Sequence, residues 1–207
     1  MASEVQVVAP VVLAAGDSSR MGYPKALLPI GSHTFLSLVL ETLGSACPGD
    51  VTVVIGRHAD EIRSRTVNPN VRFVVNPRPE LGQISSIQLA LRSLEPDCAG
   101  CLLWPVDQPM VSVSLVRALI GMFRDSEAWV VIPACRGKRG HPAIFRRELF
   151  QELLGWPEGQ SPKELIRRHS AQTLLLPTEE TAILEDVDTP EDYHRLTGQP
   201  LAPWQLG

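Results

Sequence analysis

The sequence predicts an α/β protein, with a mainly parallel β-sheet covered on both faces by helices and a small antiparallel addition in its second half. Three observations predict it. Seven short apolar runs recur along the chain; most are separated by segments with apolar residues at helical spacing; and one pair is joined instead by a short basic loop. Strand then helix, repeated, gives parallel neighbours, because each crossover must return the chain to the edge it left. Strands buried on both faces read as continuous apolar runs rather than alternating ones.

The first run, VVAPVVLAA, leads into the polar loop AAGDSSRMGYPK, and Phe35, Leu38, Val39 and Leu43 then share one helical face. VTVVIG and VRFVV are the next strands. Ile84, Ile87, Leu91 and Leu94 form a second helical face before CLLWPV, and Leu115, Leu119, Ile120 and Phe123 a third before WVVIPA. There the rhythm breaks. WVVIPACRGKRGHPAIF reads as two strands joined by a basic, glycine-containing loop, followed later by a last run, TLLLP. Ser161, Pro162 and Glu164 have the pattern of a helix-capping box, as do Thr189, Pro190 and Asp192 with aspartate in the last place. The proline-rich end GQPLAPWQLG is expected to be loosely held. With no internal repeat or low-complexity tract, a single domain over residues 1–207 is expected.

Composition narrows the function. The chain is 44% hydrophobic and 20% charged, with 19 basic and 23 acidic side chains and a net charge of -4, which argues against nucleic-acid or membrane-surface partners. No run approaches the roughly 20 apolar residues of a membrane span. Glu4 stands where a secretory leader needs a basic residue, so the cytoplasm is the expected compartment. Cys47, Cys98, Cys101 and Cys135 are too few for a disulfide framework. The CxxC of Cys98 and Cys101 has no second CxxC or histidine pair to complete a zinc site, and ordinary buried thiols are expected.

The loop after the first strand lies where ligands of open parallel sheets bind. Gly16 and Gly22 allow successive backbone N–H groups to face an anion, Ser18 and Ser19 add hydroxyls, and Arg20 and Lys25 add positive charge. A solvated turn with incidental basic residues is the alternative. Neither familiar nucleotide signature fits, because Lys25 does not follow Gly22 and the glycine spacing is wrong for GxGxxG. A divalent cation would need carboxylates at strand ends. Asp107, ending CLLWPV, and Asp188, before the Thr189 cap, qualify, with Asp186 two residues earlier. A turn aspartate and a carboxylate near a helix dipole are the plainer readings.

The string LAAGDSSRMGYPKALLPI resembles the N-terminal signature of the MobA-like nucleotidyltransferases, and more closely that of their molybdenum cofactor cytidylyltransferase branch. NPRPELGQISSIQLAL, VDQPMV, RGHPAIF and EDVDTPEDY continue the match in family order, from about Val7 to about Leu196. The resemblance implies a Rossmann-like three-layer sandwich of the nucleotide-diphospho-sugar transferase type. It implies an enzyme that uses CTP and Mg²⁺ to attach CMP to the phosphate of molybdopterin, releasing pyrophosphate, with a recipient molybdoenzyme or its chaperone as onward partner. Asp107 of the DQP motif and Asp188 before TPED would be metal ligands, and Arg20, Lys25 and Asp107 would carry catalysis. In this chain Val106 replaces the glycine that usually opens the motif.

Leu13, Ala14, Ala15, Gly16, Ser18 and Ser19 would hold the nucleotide with Arg20 and Lys25. Asn76, Gly82, Ser85 and Ser86 would join them, although a turn asparagine and helix-capping serines explain the same residues. Guanylyl-transferring members tend to read LAGG where this chain reads LAAG. A pocket narrowed by the Ala15 methyl could discriminate by roughly 1–3 kcal/mol, favouring cytosine. Gln108, Arg139, Gly140 and His141 would meet the acceptor, beside Arg136 and Lys138; a solvated basic loop is the alternative. Two other functions stay open: transfer to a sugar or polyol phosphate, and a non-catalytic carrier of cofactor or nucleotide.

Overall fold

A computed structural model describes residues 7–47 and 49–202. The first half holds β1 (Val8–Ala14), the short pair β2 (Pro29–Ile30) and β3 (His33–Thr34), α1 (Phe35–Ala46), β4 (Val51–Ile55), α2 (Ala59–Arg65), β5 (Val71–Val75), α3 (Gln83–Ser93) and β6 (Gly100–Pro105). The second holds α4 (Val113–Arg124), β7 (Val130–Cys135), β8 (Lys138–Arg139), β9 (Ala143–Arg146), α5 (Phe150–Leu154), α6 (Lys163–Arg168), β10 (Thr173–Pro177) and α7 (Pro190–Thr197).

All seven apolar runs are strands of one sheet, ordered β10, β7, β9, β6, β1, β4, β5, with β8 paired to β7. β1 is central and parallel to both β4 and β6, with Leu13 level with Val54 on one side and Pro105 on the other. The expected antiparallel addition is β9, inserted between β6 and β7, together with β8. Because side chains alternate across a strand, Val12, Val53 and Trp104 face one layer and Val11, Leu13 and Val54 the other. The first packs with Phe35, Leu36, Val39, Leu119 and Phe123 of α1 and α4; the second packs with Ile84, Ile87, Leu91, Leu153 and Leu165. Each fully buried large apolar side chain contributes about 1.5–3 kcal/mol, against about 0–1 kcal/mol for an exposed ion pair. The two apolar layers therefore hold the frame from which the loops project.

Three local readings need adjustment. The α1 face contains Leu36 and Leu40 as well as Val39 and Leu43, whereas Leu38 is only half-buried. Ser161 does not form a capping box. Pro162 has helical dihedrals at the N-cap, the Ser161 hydroxyl accepts only from the Lys163 N–H, and Glu164 turns outward to Arg167. The β2–β3 pair carries no apolar alternation and left no signal in the sequence.

The Thr189 box does form. Asp192 N donates to Thr189 Oγ1 at 3.2 Å and Thr189 N to Asp192 Oδ2 at 3.0 Å. The same carboxylate accepts from Asp188 N, so the box also fixes the backbone of a candidate site residue. Thr189→Ala is expected to cost about 1 kcal/mol of stability, measurable by urea unfolding. The described part of the C-terminal end, 198–202, begins with the left-handed Gly198 that closes α7; the rest of GQPLAPWQLG lies outside the described residues. Among the described residues, no helix is long and apolar enough to cross a membrane.

Candidate active site

β1 delivers its C-terminal loop to the end of the sheet where β6 delivers Asp107. The loop folds on Ser18, which adopts φ 52°, accepts at its carbonyl from Met21 N and Gly22 N, and accepts at Oγ from Lys25 N. Ser18 is thus a loop organiser that sets where Lys25 begins. Lys25 Nζ donates to Asp107 Oδ2 at 3.0 Å and to Asp188 Oδ1, while Arg20 reaches Asp188 Oδ2 at 2.9 Å. A backbone bond from Val187 N to Asp107 O, 3.0 Å, ties the two carboxylate-bearing segments together. Four candidates separated by as many as 168 residues meet in one place.

They enclose a cavity of about 280 Å³ that Leu13, Ala14, Gly16, Ser18 and Ser19 also line. Val106, otherwise buried, lines it as well. Burial opposes charge on Lys25, but Asp107 and Asp188 outweigh it and hold the ammonium above its ordinary pKa. The Lys25 hydrogen bond, partly opposed by burial and reinforced by the Lys25 and Arg20 charges, holds the Asp188 carboxyl below the usual range. Both groups are charged at neutral pH.

The residues fit a hard divalent cation. Asp107 Oδ1 is buried with no hydrogen-bond partner among the described residues, and Asp188 shares the same lysine. Among the described residues, no cluster of three or more His, Cys, Asp and Glu could hold a metal alone. Two carboxylates completed by phosphate oxygens and waters is the usual pattern for magnesium. Asp186 has a different set of partners. Gln108 Nε2 donates to its Oδ1 at 2.5 Å, and burial, then the Asp107 charge, pushes its carboxyl up.

Other candidates sit elsewhere. Gln108 is 3% exposed, its carbonyl accepting from Trp104 Nε1 at 2.9 Å, so it positions Asp186 rather than meeting an acceptor. Asn76 is 2% exposed and donates to the hydroxyls of Ser85 and Ser86, which are themselves buried. Those three tie the end of β5 to the start of α3, and Gly82, at φ 88°, provides the bend before it. The Ala15 methyl belongs to the apolar layer with Val54, Ile84 and Ile87, and Ala15 lines neither large cavity. Narrowing of a base pocket by that methyl is therefore corrected: strand alternation turns it into the core. The four cysteines are free thiols, and burial pushes Cys98 and Cys101 up, keeping them protonated.

A second cavity, about 450 Å³, adjoins the first through Leu13. Arg139, Gly140 and His141 line it, with Lys138; Arg136 does not. Burial lowers the His141 pKa despite the nearby Asp186 and Asp107 charges, leaving the ring neutral. Gly140 is sterically required, since a Cβ there would lie 2.2 Å from Ile183 O. Gly140→Ala is expected to cost about 1–3 kcal/mol, read as a lower urea midpoint, through displacement of the loop against Ile183. Lys163 and Arg167 also line this cavity and were missed. Their spacing of four on one helix was the available signal.

A MobA-like NTP transferase domain model matches residues 10–173. The chain is 31% identical over 198 residues to a probable molybdenum cofactor guanylyltransferase of Rhodopirellula baltica, covering 88% of each chain. It is 24% identical over 184 residues to the molybdenum cofactor cytidylyltransferase of Escherichia coli, covering 88% of this chain and 92% of the other. Among solved structures, Rv0371c from Mycobacterium tuberculosis superposes with a TM-score of 0.85 at 29% identity, covering 95% of this chain and all of the other. Its complex with manganese gives 0.80 at 26%, with the same coverage. A serine- and glycine-containing loop after the central strand, carrying Arg20 and Lys25 to paired carboxylates, and a sheet of this topology thus occur together in a chain that belongs to the MobA-like nucleotidyltransferases.

Proposed function

We propose that the chain, acting as one domain, is a molybdenum cofactor cytidylyltransferase: it moves CMP from CTP onto the phosphate of molybdopterin. The observation that carries this reading is the convergence of Lys25, Arg20, Asp107 and Asp188 around one anion-sized cavity beside a larger, basic-rimmed one. The molybdenum cofactor transferases among the relatives support the acceptor. LAAG supports CTP by resemblance alone, since the Ala15 methyl lies in the apolar layer and lines neither cavity.

An oxygen of the acceptor phosphate attacks the α-phosphorus and forms the new P–O bond. The bond to the bridging oxygen breaks, and pyrophosphate leaves with the electron pair. No protein nucleophile is needed, because a phosphate monoester with a second pKa of about 6 is largely ionised at neutral pH. Lys25 and Arg20 hold the triphosphate and stabilise charge growing on the departing pyrophosphate. Asp107 and Asp188 would hold Mg²⁺, which when bound neutralises phosphate oxygens and aligns the in-line displacement. Arg139 and His141 border the acceptor, the neutral imidazole serving as a hydrogen-bonding group.

The test crosses CTP and GTP with molybdopterin, a polyol phosphate and no acceptor, with magnesium present or chelated. Pyrophosphate is expected only with CTP, molybdopterin and metal together; preference for GTP or for the polyol phosphate would overturn the corresponding assignment. kcat/KM is expected to fall about tenfold per pH unit below about pH 6, as the acceptor phosphate takes up its second proton. Asp188, with its depressed pKa, loses its charge only at lower pH. The acidic limb should therefore coincide with the second phosphate pKa of molybdopterin, and a limb lying well below it would reject that origin.

A further inference from the structure

The larger cavity is chemically divided. Leu13, Ile87, Leu103, Ile132 and Phe145 make one side apolar. Lys138 and Arg139 of β8 and Lys163 and Arg167 of α6 make the other cationic, and among the described residues no aspartate or glutamate lines it. Among the described residues, Lys138, Arg139 and Lys163 have no carboxylate within ion-pair distance. Among those residues Arg167 meets Glu164 of its own helix, in an exposed pair at 2.8 Å that an incoming anion can displace. Cations gathered around a concave surface with a single exposed counter-ion among them repel one another and concentrate anions from solution.

α6 is held firmly enough to set this geometry. Leu165 is fully buried in the apolar layer, and Lys163 and Arg167, four residues apart, fall on one helical face. The preceding segment is fastened to α3 by Gln88 Nε2, which donates to Leu153 O and Trp156 O, and Gly159 N bonds to Leu81 O. The smaller cavity already supplies Arg20 and Lys25 for the reacting phosphates, so the α6 cations serve a different group.

We propose that Lys163 and Arg167 are specificity-determining residues for the acceptor: they bind a second anionic group of a flat heterocyclic phosphate whose body lies on the apolar side. This deepens the function proposed above and rests on its placing of the acceptor in this cavity. A polyol phosphate has neither the flat apolar body nor the second anion, and the cavity selects against it.

The test uses the full chain and its Lys163→Ala, Arg167→Ala and doubly substituted variants. Binding of molybdopterin is measured by calorimetry and pyrophosphate release by turnover with CTP and magnesium, with glycerol 3-phosphate as the comparison acceptor. Each single change should raise the molybdopterin Kd and KM about 10-fold and the double change about 100-fold, with kcat and the KM for CTP within twofold. Arg167→Lys should recover most of the loss, which a purely structural role would not predict. Unchanged molybdopterin binding in the doubly substituted, folded variant overturns the proposal, as does a wild-type protein that binds no molybdopterin. Weakened binding in the variant, with a wild type that binds molybdopterin but releases no pyrophosphate, upholds the α6 site and rejects the transferase reaction.

Discussion

Asp107→Asn is expected to lower kcat by about 10³-fold while leaving the protein folded. The carboxylate presents one buried oxygen without a hydrogen-bond partner among the described residues and one bonded to Lys25. An amide keeps the shape but loses the charge that would hold a divalent cation. Metal stabilisation of transferring phosphoryl oxygens is worth several kcal/mol, and each 1.4 kcal/mol is about tenfold in rate. Stability should not fall in parallel. Asp186, already pushed up by burial and then by the Asp107 charge, loses a like-charged neighbour, while Lys25 keeps Asp188. The measurements are turnover across a magnesium titration and the urea midpoint. Full activity at ordinary magnesium would remove Asp107 from the metal site.

Lys25→Ala is expected to slow turnover about 100-fold, the usual effect of deleting one donor aimed at developing charge. In the free protein this ammonium also bridges Asp107 and Asp188, occupying the position of a counter-cation between them. Its removal leaves two carboxylates facing each other with only Arg20 at Asp188. Manganese, without nucleotide, should therefore bind the variant more tightly than the wild type even as activity falls. Equal turnover would remove the catalytic role; weaker manganese binding would show that the carboxylates do not act together. The stability from the bridge has a defined pH window. Lys25, with its raised pKa, contributes fully below its unfolded pKa and loses its part as pH rises through the folded value; Asp188, with its lowered pKa, contributes above its unfolded value and loses its part as pH falls through the folded one. The bridge is intact through the neutral range.

Much of the frame was legible because burial on both faces of a parallel sheet leaves a one-dimensional trace. VTVVIG, VRFVV and CLLWPV became β4, β5 and β6, and the broken rhythm at WVVIPACRGKRGHPAIF became the antiparallel β8 and β9. Thr189 also declared itself, since a capping box needs only four consecutive residues. Ser161 carried the same pattern and failed, because Pro162 entered the helical region one position early. The order of the strands was beyond local pattern: β9 pairs with β6 across some 40 residues.

The candidate site divides in the same way. The glycine, serine and basic residues of the first loop, and aspartates at strand and helix ends, were visible as chemistry suited to phosphate and metal. The sequence by itself thus determined which residue types were available and that the fold would present them at loop ends. Only the tertiary structure decided their company. It joined Lys25 to Asp107 and Asp188, turned the Ala15 methyl into the core, withdrew Gln108 to hold Asp186, and brought Lys163 and Arg167 to a cavity shared with β8. Helix, strand and cap signals arise from neighbours along the chain, whereas direction and pairing of a side chain depend on residues that approach it only when the layers close.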